Sequence, residues 1–282
     1  MIKIKVPATS ANFSIGFDVC GIAFNIYNEF LFEKSDKNKL AGFQKEFLND
    51  NNLVLQSYKR FFKEYHLEYI PISITLSKSN VPDSRGLGSS ATCIVAGVLA
   101  ANLISKSNLS NEALLTLMSK IEGHPDNVAP AFLGGFVASY KNKDEYKSIR
   151  YHVSHNLYFN VYIPNQHLST EEARNVLPLN YSREDVISNL SRIIHLPNAL
   201  VNGDYKLLKD LLKDKIHEPY RLKLIEHSND LIKQLSEIGA TCIISGSGST
   251  MLGISDKEFS INNPYFKEVL VEVDLKGATI DD

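Results

Sequence analysis

Two glycines one residue apart, Gly86 and Gly88, stand directly before Ser89 and Ser90 and constrain this chain more than any other feature. Upstream, residues 72–76 (ISITL) alternate apolar and polar side chains, the period of a half-buried strand. Downstream, Ala91 to Leu103 is apolar or small on nearly every face, which predicts a buried helix. Glycine admits positive φ and lets backbone approach a ligand closely. A helix N-terminus adds unpaired N–H groups and the positive end of the helix dipole. Strand, glycine turn and helix therefore form either a plain tight turn or an anion site, and the usual anion at such a site is a phosphate. No Lys-Ser or Lys-Thr follows the second glycine, so this is not a Walker loop. The G-x-G-x-x-G spacing of the dinucleotide fold is also absent. The Ser90 hydroxyl is in position to reach a phosphate-bound magnesium, as the Ser or Thr of a P-loop does.

With 282 residues the chain can build one large domain or two modest ones, and two are preferred. The charged stretch 141–147 is the natural boundary, dividing it into residues 1–145 and 146–282. A hydrophobic fraction of 44% and a net charge of −2 describe an ordinary soluble protein without the basic stripe that nucleic acid requires. The longest apolar run, around Ile94 to Ile104, is interrupted by Asn102 and is too short to span a bilayer. No signal peptide precedes the first strand. Cys20, Cys93 and Cys242 lie far apart and form neither a zinc spacing nor a disulfide framework. They read as small buried hydrophobes of a reducing cytosol, which predicts a cytoplasmic protein.

Along the chain, residues 2–6 alternate as a first strand that Pro7 should stop. Residues 7–18 form a loop of small and polar side chains. There Asn12 and Asp18 either satisfy local backbone or face a ligand. Val19 to Ile26 and Phe30 to Glu33 are expected as two paired strands, and Leu53 to Tyr65 as a helix. Ser110 caps a helix with Leu114, Leu117, Met118 and Ile121 on one face, and Gly123 ends it. The cluster that follows, Glu122-Gly123-His124-Pro125-Asp126-Asn127, allows two readings. Asp126 or Asn127 caps the next helix, or Glu122 supplies a carboxylate to magnesium while Asp126 or Asn127 meets a substrate hydroxyl. Gly134-Gly135 turns into a strand at 136–140, and residues 157–164 form another. Ser182 opens a helix with Ile187, Leu190 and Ile194 inward. Glu218 to Arg221 begins a further helix, and residues 241–252 read as strand, Gly/Ser turn and strand. Taken alone, Arg174 and Arg221 are equally well surface arginines or ligand contacts.

Three ordered motifs together resemble the GHMP kinase superfamily, named for galactokinase, homoserine, mevalonate and phosphomevalonate kinases. They are Pro7-Ala8-Thr9-Ser10-Ala11-Asn12 running on to Gly16-Phe17-Asp18, Arg85-Gly86-Leu87-Gly88-Ser89-Ser90-Ala91, and Ser245-Gly246-Ser247-Gly248-Ser249-Thr250. Within the superfamily the chain is most similar to homoserine kinases, through residues 122–130 (EGHPDNVAP), Ser169-Thr170 with Ala173-Arg174, and Pro219-Tyr220-Arg221. It departs at Phe13-Ser14-Ile15, where a Leu-Gly-Pro-like run is more usual, and at Ser249, where proline is common.

The resemblance implies a two-domain α+β fold, with an N-terminal domain of the ribosomal-protein-S5 type, a C-terminal ferredoxin-like domain and an active site between them. It implies ATP and Mg2+ as cofactors and phosphorylation of the side-chain hydroxyl of L-homoserine, a step towards threonine. By the same resemblance Ser90 and Glu122 hold magnesium, and Pro82, Arg85, Gly86, Leu87, Gly88, Ser89 and Ser90 cradle phosphate. Asn52 contacts adenine. Asn12, Asp18, His124, Asp126, Asn127, Thr170, Arg174, Arg221 and Gly246 form the homoserine site. The chemistry agrees, because the carboxylate of a zwitterion calls for bidentate arginines and its ammonium for Asp18. Asp126 and Asn127 would lie at the reacting hydroxyl, with Asp126 expected to orient it rather than act as a base. A homodimer is a family expectation. Another superfamily kinase would not need the arginine clamp, and a non-catalytic sensor would be expected to have lost Ser90, Glu122 or Asp126.

Overall fold

The computed structural model describes residues 1–281 and arranges them around two sheets. In chain order the larger sheet comprises β1 (Ile2–Ala11), β2 (Cys20–Lys34), β3 (Lys39–Ala41), β4 (Ile72–Ser79), β5 (Phe136–Asn142), β6 (Glu145–Tyr151) and the last strand, β11 (Thr279–Asp281). The spatial order is β11-β1-β2-β4-β3, and β5 pairs the start of β2 and carries β6. Among the described residues only β3 and β4 run parallel. The smaller sheet holds β7 (Tyr158–Pro164), β8 (Thr241–Ile244), β9 (Met251–Ser255) and β10 (Phe266–Val271) in the antiparallel order β10-β7-β9-β8.

Against the larger sheet pack α1 (Leu53–Glu64), α2 (Ser89–Ser105), α3 (Asn111–Glu122) and α4 (Pro125–Leu133). Their shared core joins Ile4, Phe30 and Ile72 of the strands to Tyr58, Val95 and Leu117 of the helices. The central helix α2 is buried on most of its circumference, as its composition predicts. Around the smaller sheet lie α5 (Thr170–Asn175), α6 (Arg183–Ile193), α7 (Leu196–Asn202), α8 (Tyr205–Leu211), α9 (Glu218–Arg221) and α10 (Ser228–Glu237). A second core runs from Ala8 and Ile22 of the larger sheet and Phe13 of the 12–18 loop into Phe159 and Leu252 of the smaller sheet and Leu200 of α7, so apolar packing fixes the two sheets against one another. The chain thus has the expected two-unit α+β architecture.

Several local expectations need correction. Pro7 does not stop β1. The strand continues to Ala11 across a register shift between Pro7 and Ala8, the kind of bulge that tolerates a missing N–H. The two strands expected at 19–33 are one strand, β2. Residues 141–147 are the tip of the β5–β6 hairpin. His124, not Asp126 or Asn127, occupies the N-cap position of α4, and its side chain makes no cap bond. On α6 the apolar face points outward, with Ile187, Leu190 and Ile194 at 55, 58 and 69% exposure. That helix buries Asn189 instead, which donates to Asp214 at 2.6 Å and accepts from the Lys215 N–H at 3.0 Å.

Candidate active site

A cleft of about 600 Å³ opens between the two units. Its wall is assembled from several segments, many of them anchored by contacts to distant parts of the chain. The 12–18 loop places three consecutive non-glycine residues, Asn12, Phe13 and Ser14, at positive φ, and Asp18 as well. Such backbone persists only where its surroundings hold it. Here Phe13 is buried in the core, and Asn12 donates to the Gly246 carbonyl at 2.8 Å while accepting from the Asp18 N–H at 3.0 Å. Ser14 donates to Glu218 at 2.9 Å. Asp18 is thereby aimed into the cleft.

The glycine loop behaves as its sequence predicts. Gly88, at φ +70°, precedes α2, and no side chain caps that helix, so its N-terminal N–H groups stand in the cleft wall. Gly86 lies against the 245–248 turn, where a Cβ would stand 2.2 Å from the Ser245 carbonyl oxygen. Ser245 donates to the Gly86 carbonyl at 2.6 Å, and the Thr250 N–H donates to the Arg85 carbonyl at 3.2 Å. Arg85 itself turns to the other unit, donating to the Pro164 carbonyl. Ser89 is held by Asp83.

Ser90 donates to Glu122 Oε1 at 2.7 Å, bringing a hydroxyl and a carboxylate together beside the exposed helix end. Burial pushes the Glu122 carboxyl above its usual range, with Ser90 and His124 working against that shift. Two hard oxygens, one of them anionic, next to an anion cradle fit Mg2+, which keeps waters and phosphate oxygens for its other positions. Asp18, His124 and Asp126 also bring ligand atoms within 4.8 Å of one another. Their charges are already matched, however: Arg174 pairs with Asp18 through two bonds of 3.0 and 2.8 Å, and His124 Nδ1 bonds Asp126. Burial lowers the His124 pKa, but Asp126, Glu122 and Asp18 more than offset it, so the imidazole lies above its ordinary value.

At the charged end, Arg221 is only 1% exposed. Its Nε donates to the Ala173 carbonyl at 3.0 Å and its Nη1 to the Gly246 carbonyl at 3.3 Å, while Nη2 keeps no protein partner among the described residues. Burial, with Arg174 nearby, pulls its pKa down, and Asp18 and Asp126 oppose that. Phe17 stacks on His217 at 5.2 Å and lies under both guanidiniums, at 5.1 Å from Arg221 and 5.9 Å from Arg174. Thr170, in the first turn of α5, completes this end, with Ser169 and Glu172 forming a capping box.

Of the residues singled out from the sequence, Asn12, Asp18, Asn52, Arg85, Gly86, Gly88, Ser89, Ser90, Glu122, His124, Asp126, Asn127, Thr170, Arg174, Arg221 and Gly246 all line this one cleft. Pro82 and Leu87 do not. Leu87 is buried in the core, and only its carbonyl is engaged, by the Thr9 N–H at 3.1 Å. Asn52 lines the wall, yet its side chain is committed to α1, accepting from the Val54 and Leu55 N–H groups and donating to the Phe47 carbonyl. Sequence reasoning missed the apolar far end, where Phe30, Phe43, Phe47, Leu53 and Leu76 converge. Those residues belong to two strands, β2 and β4, the 43–47 segment and the start of α1, and no motif marks them. The cleft as a whole can take a flat apolar group at one end, a polyphosphate along α2 and a small zwitterion at the other.

Comparison with known proteins identifies the family to which this fold belongs. The family model of the GHMP kinase N-terminal domain matches residues 52–135, and that of the GHMP kinase C-terminal region matches residues 198–263. The homoserine kinase of Clostridium acetobutylicum is 40% identical over 99% of this chain and 100% of its own length. That of Clostridium beijerinckii is 42% identical over 100% and 96%. Among solved structures, homoserine kinase from Cytophaga hutchinsonii superposes with a TM-score of 0.86 at 29% identity, covering 99% of this chain and 97% of that one. Mevalonate diphosphate decarboxylase from Staphylococcus aureus, at 16% identity and a TM-score of 0.71, shares the fold.

Proposed function

The chain belongs to the homoserine kinase family of the GHMP kinases, and on that premise we propose that its cleft transfers the γ-phosphoryl group of ATP to the side-chain hydroxyl of L-homoserine. One observation carries the substrate side of this reading. Arg221, Arg174 and Asp18 stand together in the cleft, Arg174 paired with Asp18 and both guanidiniums over the Phe17 ring, and the same cleft holds the Ser90–Glu122 pair and the start of α2. In this proposal the substrate carboxylate meets the free Arg221 Nη2 and Arg174, while its ammonium takes over Asp18, so the Asp18–Arg174 pair opens to admit a zwitterion. The adenine occupies the pocket of Phe30, Phe43, Phe47, Leu53 and Leu76, with Asn52 shaping its wall through α1. The glycine loop and the α2 N–H groups hold the phosphates.

Ser90 and Glu122 would hold Mg2+, which when bound neutralises charge on the phosphate oxygens. The chain's own groups do the rest. Positioning dominates phosphoryl transfer: a bond forms between the homoserine oxygen and the γ-phosphorus, the bond to the ADP oxygen breaks, and the alcohol proton is released. Asp126, its charge already matched by His124, serves better to hold the hydroxyl in line than to store the proton. Residues 1–145 carry the nucleotide loop and contribute Asp18 and Asp126 to the substrate, and residues 146–282 bring Arg174 and Arg221 to it. We place the protein in the cytoplasm, with a homodimer as its assembly.

A coupled ADP-release assay with Mg-ATP and L-homoserine, mevalonate, shikimate or no acceptor tests this reading. Turnover with L-homoserine alone supports it. Tight ATP binding without turnover on any acceptor supports instead a ligand sensor derived from the family.

A further inference from the structure

Thr9 lies in β1, fully buried, and touches none of the cleft. Its hydroxyl donates to Asn127 Oδ1 at 2.8 Å, across 118 residues of chain. A second observation concerns the same atom. A Cβ on Gly88 would stand 2.0 Å from Thr9 Oγ1 and 3.1 Å from Asn127 Oδ1, so the second glycine of the phosphate loop leaves room for this hydroxyl and this amide. We propose that Thr9 is a positioning residue for phosphoryl transfer, fixing the Asn127 amide so that its Nδ2 hydrogens face the cleft where the γ-phosphoryl group passes. The inference rests on the kinase reading above and adds to it a group that never meets the substrate.

The Thr9 hydroxyl has a single hydrogen, and among the described residues its only acceptor is Asn127 Oδ1. Were the amide turned over, Nδ2 would donate to Thr9 and the hydroxyl hydrogen would be left unpaired in a dry site, which is costly. The turned amide would also aim Oδ1, an acceptor, at a polyanion. With Thr9 in place the amide offers two donors to oxygens that gain charge or move as the phosphoryl group transfers. A donor preorganised there acts in the transition state more than on ground-state binding.

The test compares Thr9→Val, which keeps the shape and removes the hydroxyl, with Thr9→Ser, which keeps the hydroxyl. For Thr9→Val kcat should fall about tenfold or more while KM for L-homoserine and Tm stay near wild type. Thr9→Ser should remain within about threefold of wild type. Combining Thr9→Val with Asn127→Ala should cost no more than Asn127→Ala alone, since both act through one amide. Thr9→Ala serves in place of valine if that variant does not fold. A Thr9→Val enzyme with wild-type kcat overturns the proposal, as does a double variant whose loss is the product of the single losses. A separate readout needs no acceptor. The Asn127 side-chain amide protons, followed by NMR, should shift on adding a magnesium complex of a non-hydrolysable ATP analogue in wild type and Thr9→Ser but not in Thr9→Val. That pattern in a chain inactive on L-homoserine would sink the substrate assignment and keep the role of Thr9. Equal shifts in wild type and Thr9→Val would overturn the role itself.

Discussion

Arg221 and Arg174 face the same proposed carboxylate from very different surroundings, and the difference sets an order between them. Arg221 is 1% exposed, anchored by carbonyls of Ala173 and Gly246, and its Nη2 is left for the ligand. The Arg174 side chain is 39% exposed and shared with Asp18. Replacing Arg221 by methionine keeps an unbranched apolar stem and removes the guanidinium with its charge. A hydrogen bond to a charged group contributes about 1.5–3 kcal/mol, and a dry site places Arg221 at the top of that range. At about 1.4 kcal/mol per decade, Arg221→Met should raise KM for L-homoserine about 100-fold. Solvent screening discounts the exposed arginine to about 1 kcal/mol, so Arg174→Met should raise it only about five- to tenfold. Steady-state ADP release reads both. An acceptor without the carboxylate, 3-aminopropan-1-ol, supplies the control: Arg221→Met should barely change its already poor turnover. If Arg174→Met costs as much as Arg221→Met, or if the amino alcohol suffers equally, the clamp has been misassigned.

The Ser90–Glu122 pair and the buried Glu218 give further tests. Glu122→Gln removes the anionic oxygen proposed for magnesium, and loss of a share of that charge neutralisation should lower kcat/KM about 100-fold, partly recovered by raised Mg2+; insensitivity to Mg2+ would refute the assignment. Because burial raises the Glu122 pKa, its anionic form is lost at a higher pH than for an ordinary carboxylate, so the acid limb of kcat/KM should lie above that range. Glu122→Gln should abolish that limb, and a limb unchanged in the variant would point to another group. Glu218 accepts from Ser14 and the Ile244 N–H, and burial pushes its carboxyl up to about 8. The folded state therefore holds this proton more tightly than the unfolded chain does. The resulting stability is fully present below the ordinary carboxylate value and is lost as pH rises towards 8, on the order of 1 kcal/mol per pH unit within that window. Urea midpoints at pH 5.5 and 8.0 should show this fall, and Glu218→Gln should flatten it; an identical slope in the variant would refute the attribution.

Much of the site was legible because its chemistry sits in contiguous motifs. The strand–glycine–helix order around Gly86 and Gly88 forms as its residues dictate, and Ser110 caps α3 by accepting from the Ala113 N–H. Segments governed by distant partners were not legible. The polar residues inside β2 read as a break, yet Asn28 accepts from the Asn80 and Val81 N–H groups and donates to Thr92, and Glu29 is paired by Lys3 and Lys78, each at 2.9 Å. Those contacts keep one strand continuous where local propensity argues for two. On α6, periodicity placed Ile187, Leu190 and Ile194 on one face without saying which way that face turns, and the Asn189–Asp214 bond turns it outward. Thr9 was invisible for a different reason. Its sequence context reads as the 7–18 loop, where a threonine among small and polar residues satisfies every local rule, and only the fold brings it into β1 and to Asn127.

The central claim is that this cleft makes a phosphate ester on the side-chain oxygen of L-homoserine. Following wild-type protein, Mg-ATP and L-homoserine by 31P NMR tests it most directly. A phosphomonoester resonance, split into a triplet by the adjoining methylene protons, should grow in step with the β-phosphate of ADP. Release of inorganic phosphate alone, or a phosphoryl group appearing on the carboxylate or the nitrogen, would contradict it.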